Sequence, residues 1–336
     1  MLEDVWIDAR RTVNKAVLDI LLANEFGHTV FRKLAEPYLA GHSAKECLDN
    51  VCILFSQENT YSTCDILGEA ATTPEKAKLY QGGYVFIAQA IKQDFITSPV
   101  TLSVKPTAII SVNETGYLAD ETTLFPTLEA LVQIATPLRI TLDMEDHRFT
   151  DISLKTAERI WQKGHAGFGI VLQTRLNRTE DDINHIITTH YAVPKKHMRV
   201  RICIGIYLEP STIATTRKRE AKDRLFYQAL NLIDAGIYTE IATHDLTLLE
   251  RLDRALGSVP AEQYEYQFLK GVGIVDEFRR EKVSEGKTCR LYMPFELLPG
   301  DGEPYLRRRL IANPDLISHG AKNFLSGLFR RNGKTY

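Results

Sequence analysis

The residues best equipped for chemistry in this chain are charged side chains that interrupt or end apolar runs. Asp143-Met144-Glu145-Asp146-His147 closes one such run. Carboxylates beside a histidine offer metal ligands, but metal-binding barrels draw theirs from several strands, and no His-x-His pair follows an early run. A metal set of Asp143, Glu145 and His147 is therefore the lesser reading, and no metal is expected. Glu145 and Asp146 also read as the cap and first-turn charges of a following helix, whereas Asp143 lies nearest the apolar run and is expected to face inward. Lys105 interrupts TLSVKPTAII, and a lysine inside an apolar strand must reach its mouth or find a counter-ion. Asp143 is the expected partner, in a working pair or a structural one. Late in the chain, EPYLRRRLIANP carries three consecutive arginines. At about 100° per residue they cannot share one helix face, yet two adjacent guanidiniums can grip one carboxylate; a solvated basic turn is the plainer alternative. Thr243-His244-Asp245 ends another run, where the histidine either caps a helix or meets a ligand. No serine or cysteine stands in a nucleophile elbow.

Such residues need strands to deliver them to one place. Eight apolar runs qualify: STCDILGE, TLSVKPTAII, LRITLDMED, FGIVLQT, RVRICIGIY, TEIATHD, YEYQFLKG and CRLYMPF. Helix-length connections such as TEDDINHIITTHY and KDRLFYQALNLIDAG separate them, the pattern of successive βαβ units. Eight units predict an α/β fold, a closed (β/α)8 TIM-like barrel, with the polar residues that end each run gathered at one mouth. The fifth run is entered through Arg199 and Arg201 and left through Gly205, Tyr207 and Glu209, so those residues need a reason. An open doubly wound sheet is the alternative, but KGVGIVDEF has only two glycines of the dinucleotide fingerprint. Before residue 60 the pattern is helical, with Val13, Val17, Ile20 and Leu21 at three- and four-residue steps and a second amphipathic stretch in SAKECLDNVCILF. The expected organisation is a helical arm at 1–60, the barrel at 61–320 with a final helix over its mouth, and an amphipathic tail at 321–336.

At 336 residues one barrel with extra helices suffices, and a net charge of −2 leaves no basic excess for nucleic acid. Five cysteines without paired spacing read as core thiols of a reducing, cytoplasmic compartment. The first residues lack the apolar stretch of a secretory signal, and no window reaches the length of a spanning helix. The run TTRKREAKDRL reads as a solvated helix face. In the tail, Phe324, Leu325, Leu328 and Phe329 gather on one side with Arg330, Arg331 and Lys334 behind them; it docks on its own domain or lies peripherally on the inner face of a membrane.

Eight motifs in order, SVKPTAI, LDMEDH, IVLQT, VRICIGIYLEP, IATHD, YEYQFLKG, RLYMPF and YLRRRLIAN, resemble those of the proline dehydrogenase family over roughly residues 60–315. The resemblance implies a distorted (β/α)8 barrel that binds FAD and oxidises L-proline to Δ1-pyrroline-5-carboxylate by hydride transfer to flavin N5. It also implies that electrons pass to a quinone and that a separate pyrroline-5-carboxylate dehydrogenase takes the product. Asp143 and Arg201 then correspond to the family's catalytic positions. Lys105, Arg308 and Arg309 hold the substrate carboxylate, and Tyr207, Leu269, Tyr292 and Tyr305 enclose the ring. Met144, Gln173, Arg201, Ile204, Gly205, Ile206, Thr243 and His244 contact FAD, with Glu265 near its adenosine end. Where the family commonly reads Lys-Gly-Ala-Tyr, this chain has Ile204-Gly205-Ile206-Tyr207, which removes a cation and adds bulk. The alternative is therefore a flavin-binding relative that takes a substituted proline or turns over slowly.

Overall fold

The structure, a computed structural model, describes residues 15–94 except 17 and 21, and residues 99–312. Eight parallel strands close in chain order: β1 (Tyr61–Leu67), β2 (Val100–Val104), β3 (Arg139–Leu142), β4 (Gly169–Gln173), β5 (Arg199–Cys203), β6 (Tyr238–Ala242), β7 (Tyr264–Leu269) and β8 (Cys289–Glu296), which pairs back with β1. The open-sheet alternative is excluded. Period-two alternation explains the composition of the runs. In β5, Val200 and Ile202 are fully buried in the apolar core, while Arg199 and Arg201 meet carboxylates from β6 inside the barrel. In β7, Tyr264, Tyr266 and Phe268 join that apolar core, and Glu265 and Gln267 alternate with them. The two arginines that open the fifth run are thus interior charges, paired across strands.

Helices surround the strands. Two helices, α1 (Glu25–Ala35) and α2 (Ala44–Glu58), lie between the helical residues 18–20 and the barrel, with Asn24 and Ser43 accepting from first-turn amides as N-caps. Between strands lie α3 (Pro74–Asp94), α4 (Pro106–Ile109), α5 (Leu124–Ala135), α6 (Thr150–Gln162), α7 (Thr179–Thr188), α8 (Lys218–Asp234), α9 (Leu246–Ala255) and α10 (Asp276–Ser284). After β8 comes α11 (Glu303–Ala312). The arm runs to the start of β1 at Tyr61 and is tied to β8 by backbone bonds, Ala40 N to Pro294 O at 2.6 Å and Glu296 N to Gly41 O at 3.2 Å. Leu18, Phe31, Tyr38 and Leu39 of the arm share one apolar cluster with Leu67, Val272, Tyr305 and Leu306. This cluster holds α11 against the end of the barrel where β1 finishes. The expected tail, with Phe324 to Lys334, lies outside the described residues, as do Val13, Val17 and Leu21. No helix among the described residues is long and apolar enough to cross a membrane.

Candidate active site

Residues at or just past the ends of β2 to β8 line one cavity of about 510 Å³. This is where a parallel barrel places its chemistry. Its lining includes three cations: Lys105, which leaves β2 just before the Pro106 turn of α4, and Arg308 and Arg309 from α11. Asp143, one residue past β3, organises the floor. Its Oδ1 accepts from Ser103 Oγ at 2.8 Å and from Arg201 Nη1 at 2.8 Å, and its Oδ2 accepts from the Tyr292 hydroxyl at 2.5 Å. Arg201 is held a second time, its Nε donating to Glu240 Oε2 at 3.1 Å, while its Nη2 is buried without a protein partner.

Lys105 corrects one expectation. Its Nζ bonds to Asp65 of β1, and Asp143 Oδ2 is the more distant neighbour at 3.8 Å. The flanking Asp65, Tyr292 and Asp143 keep the ammonium well above its ordinary range, against the burial that would lower it. Burial raises Asp65 to about 6, with Lys105 pulling it down and Asp143 pushing it up.

The arginine triplet divides as helix geometry requires. Arg307 pairs with Asp19 of the arm, while Arg308 and Arg309 line the cavity. Both forks are not open, however: Arg308 is engaged by both oxygens of Glu69, from the β1–α3 loop, and its guanidinium lies 5.7 Å from the Tyr207 ring centroid. Arg309 lies 5.2 Å from the Tyr305 ring centroid, and its Nε is buried without a partner. Leu269, Tyr292, Tyr207 and Tyr305 also line the cavity.

The other wall belongs to Met144, Gln173 and the Ile204-Gly205-Ile206 turn, with Thr243 and His244 from the end of β6. Gly205 has φ +97°, and a Cβ there would fall 2.3 Å from Gln173 Oε1. Only glycine suits that backbone and that approach. Gln173 is fixed by donating to Glu145 O at 2.7 Å, which leaves its buried Oε1 without a partner. His244 Nε2 accepts from Leu269 N at 2.8 Å, so the ring carries its proton on Nδ1. Burial, helped by Arg309, lowers His244 to about 3, and the imidazole is neutral at physiological pH. The cap of α9 is Asp245, which accepts from Leu248 N, so His244 is released for the cavity.

Glu265 departs from its expected place, and the metal alternative loses its geometry. Glu265 does not reach the cavity: it is fully buried inside the barrel, bonded by Arg290 Nε at 2.6 Å and Nη2 at 3.0 Å. Burial would raise it, but Arg290 more than reverses this and holds it at about 2, so it serves as a structural counter-ion. The Asp143, Glu145 and His147 set disperses. Glu145 turns to Thr107, accepting from its N and Oγ1, and His147 bonds to Glu209, which thereby ties down the β5–α8 loop. Asp146, not Glu145, is the N-cap. The charge run expected to be solvated is exposed at residues 216–219, and Arg217, Lys218 and Lys222 also line the cavity. Asp65, Ser103, Glu69 and Glu240 were not singled out from the sequence. Asp65 and Glu240 did carry a readable signal, a carboxylate inside an apolar run like Lys105, whereas Glu69 pairs with a residue 239 positions away and carried none.

The donor set fits a flat, polar cofactor with phosphates. The wall offers an unpartnered amide oxygen at Gln173, an unpartnered guanidinium nitrogen at Arg201, a backbone surface bared by Gly205, and cations at the far rim.

Comparison with known proteins identifies the family. A family model described as proline dehydrogenase matches residues 52–319. The proline dehydrogenase of Deinococcus radiodurans is 26% identical over 305 residues, covering 88% of this chain and 91% of its own. Proline dehydrogenase 1 of Bacillus subtilis strain 168 is 27% identical over 286 residues, covering 83% and 87%. Among solved structures, proline utilization A (PutA) from Bdellovibrio bacteriovorus inactivated by N-propargylglycine superposes with a TM-score of 0.74 at 23% identity, a likeness of fold. It covers 83% of this chain and 32% of the PutA chain, so this chain spans about a third of PutA's length. On the match over most of its length, and on relatives aligned almost end to end, the chain belongs to the proline dehydrogenase family.

Proposed function

We propose that this enzyme oxidises L-proline to Δ1-pyrroline-5-carboxylate with FAD bound along the Gln173–Gly205–His244 wall. The observation that carries the reading is that Lys105, Arg308 and Arg309 line the same cavity as the Asp143–Arg201–Tyr292 cluster. Bound FAD supplies a hydride acceptor at N5 and a ring that holds the two electrons.

The residues of the chain do the rest. Cations at the substrate end attract a carboxylate and fix one pose of a small amino acid, which places the ring carbon beside nitrogen toward the cofactor wall. Because Arg308 is already engaged by Glu69, the substrate carboxylate shares or exchanges that partner, while the Arg309 guanidinium, whose buried Nε has no protein partner, supplies the second charge. The rings of Tyr207, Tyr292 and Tyr305, with Leu269, cover the hydrocarbon part of the substrate and exclude water. The same cations disfavour a charged substrate ammonium, so the amine loses its proton first. Its lone pair then forms the C=N bond as hydride leaves, and one further proton is released from nitrogen. The neutral His244 presents an Nδ1–H donor, and Arg201 Nη2 a charged one, to the cofactor wall. Arg217, Lys218 and Lys222 suit its phosphates. Met144, Ile204, Ile206 and Thr243 complete that wall.

Electrons are proposed to pass to a quinone, which a peripheral contact with a membrane would supply. The product, a cyclic imine that water opens to an aldehyde, is proposed to go to a separate pyrroline-5-carboxylate dehydrogenase. Both statements rest on family membership. Anaerobic titration of the flavin-loaded protein with L-proline is expected to bleach the flavin absorbance stoichiometrically. Protein that carries flavin but keeps its absorbance at saturating L-proline would refute the substrate assignment, and a substituted proline that bleaches it instead would select the relative with altered specificity, in keeping with the bulk of Ile206 in the wall.

A further inference from the structure

Beneath the cavity runs a column of alternating charges that the substrate clamp does not use. Arg290 bonds to Glu265, and Glu265 Oε1 lies 3.8 Å from Arg199 Nη2. The same Arg199 nitrogen is 2.5 Å from Glu240 Oε1, and Glu240 Oε2 accepts from Arg201 Nε at 3.1 Å and from Gln267 Nε2 at 2.6 Å. Glu240 and Glu265 are fully buried, and Arg199 and Arg290 nearly so. Buried ion pairs are weak stabilisers compared with well-packed apolar residues of similar volume, so the column calls for a reason beyond stability.

Its upper end supplies one. Among these charges Arg201 is the cation that lines the cavity. A guanidinium has five donors in one plane. Here Nε is fixed by Glu240 on β6 and Nη1 by Asp143 and Ser103, which leaves the buried Nη2 unpartnered. Asp143 is also shared with Tyr292 and with the substrate end, so its position answers to the ligand. Glu240 is held from below by Arg199 and from the side by Gln267, and answers to neither. We propose that Glu240 is a positioning residue: it locks the plane of Arg201 so that Nη2 addresses the cofactor, and its charge, one step behind, moderates the positive field that the cofactor feels. The inference rests on the flavin reading above.

Two substitutions separate its halves. Glu240→Gln removes the charge and keeps an acceptor. Less negative charge near a ring that gains electrons favours the reduced form, so the flavin midpoint potential is expected to rise. Glu265→Gln, equally buried but one step deeper, is the control: it is expected to lower the unfolding temperature and leave the potential where it is. Glu240→Asp keeps the charge and withdraws the acceptor by one methylene. With Nη2 no longer held, kcat is expected to fall by about tenfold or more, with KM changed much less. All measurements use the full flavin-loaded chain. Wild-type potential in Glu240→Gln, wild-type kcat in Glu240→Asp, or equal shifts of potential in Glu240→Gln and Glu265→Gln would overturn the proposal. Failure of both Glu240 variants to fold would mark a structural role and overturn it equally. A wild-type chain without a flavin spectrum would instead refute the reading on which the inference rests.

Discussion

Glu145 is a side chain whose charge the fold accommodates poorly. It lies 6% exposed beside the cavity, and burial raises its carboxyl to about 7 despite two hydrogen bonds from Thr107. In the unfolded chain a glutamate titrates near 4.3. Between those values the folded state keeps a proton that the unfolded chain has released, so stability falls as pH rises from about 4.5 through about 7. The shift corresponds to about 3 kcal/mol across that window. Glutamine imitates the protonated form, with an oxygen for the Thr107 amide and an NH2 for its hydroxyl. Glu145→Gln is therefore expected to match or exceed wild-type stability at pH 8 and to flatten the profile between pH 5 and 7, read from unfolding temperatures across that range. The same residue shows what sequence reading misses at this scale. Its position in LDMEDH was visible, but its choice of Thr107 over a helix-cap role depends on the turn that follows Lys105, 38 residues earlier in the chain. Lys105 was legible as a buried cation in need of a partner, yet Asp65 outcompetes Asp143 because β1 and β3 both flank β2 and sequence does not give their relative reach.

At the scale of elements, the eight strands and their order were legible because period-two alternation and regular helix-length spacing survive in the sequence without any knowledge of contacts. The loop after β5 was legible in part: Gly205 and Tyr207 do reach the cavity, and Glu209 anchors the loop through His147. The basic stretch 217–222 is exposed at Arg217 to Arg219, as a solvated run should be; that Arg217, Lys218 and Lys222 also line the cavity was not legible, because a charge run looks the same whether it borders open solvent or a cavity. Gly205 gives this scale its test. With φ +97° and a Cβ that would sit 2.3 Å from Gln173 Oε1, an alanine both strains the backbone and displaces Gln173. The strain alone costs about 1–2 kcal/mol. Gly205→Ala is expected to lower the flavin content of the purified protein, with a smaller effect on the unfolding temperature of the flavin-free chain. Full flavin occupancy in that variant would remove the β5 turn from the cofactor wall.

Across the whole molecule, the arm and the last helix behave as one part although almost the entire barrel separates them in sequence. The arm was legible as helical and as ending near residue 60, but its role was not, since Asp19 with Arg307 and Phe31 with the Leu306 cluster join residues far apart in the chain. That geometry makes the arm a brace. Arg307 faces the arm, and because α11 is a single rigid helix, this orientation turns Arg308 and Arg309 toward the cavity. Phe31, 2% exposed, is the largest apolar side chain that the arm contributes to the cluster containing Tyr305 and Leu306. Phe31→Ala removes about 3 kcal/mol or more of packing, but it touches no residue of the Asp143–Arg201 floor. If α11 grips the substrate carboxylate as proposed, loosening it weakens binding in the ground state and the transition state alike, which raises KM and leaves kcat in place. Steady-state kinetics with L-proline is therefore expected to show a higher KM at nearly unchanged kcat. A variant that instead loses kcat at constant KM would show that the arm acts on the floor of the site, and that α11 is held in place without it.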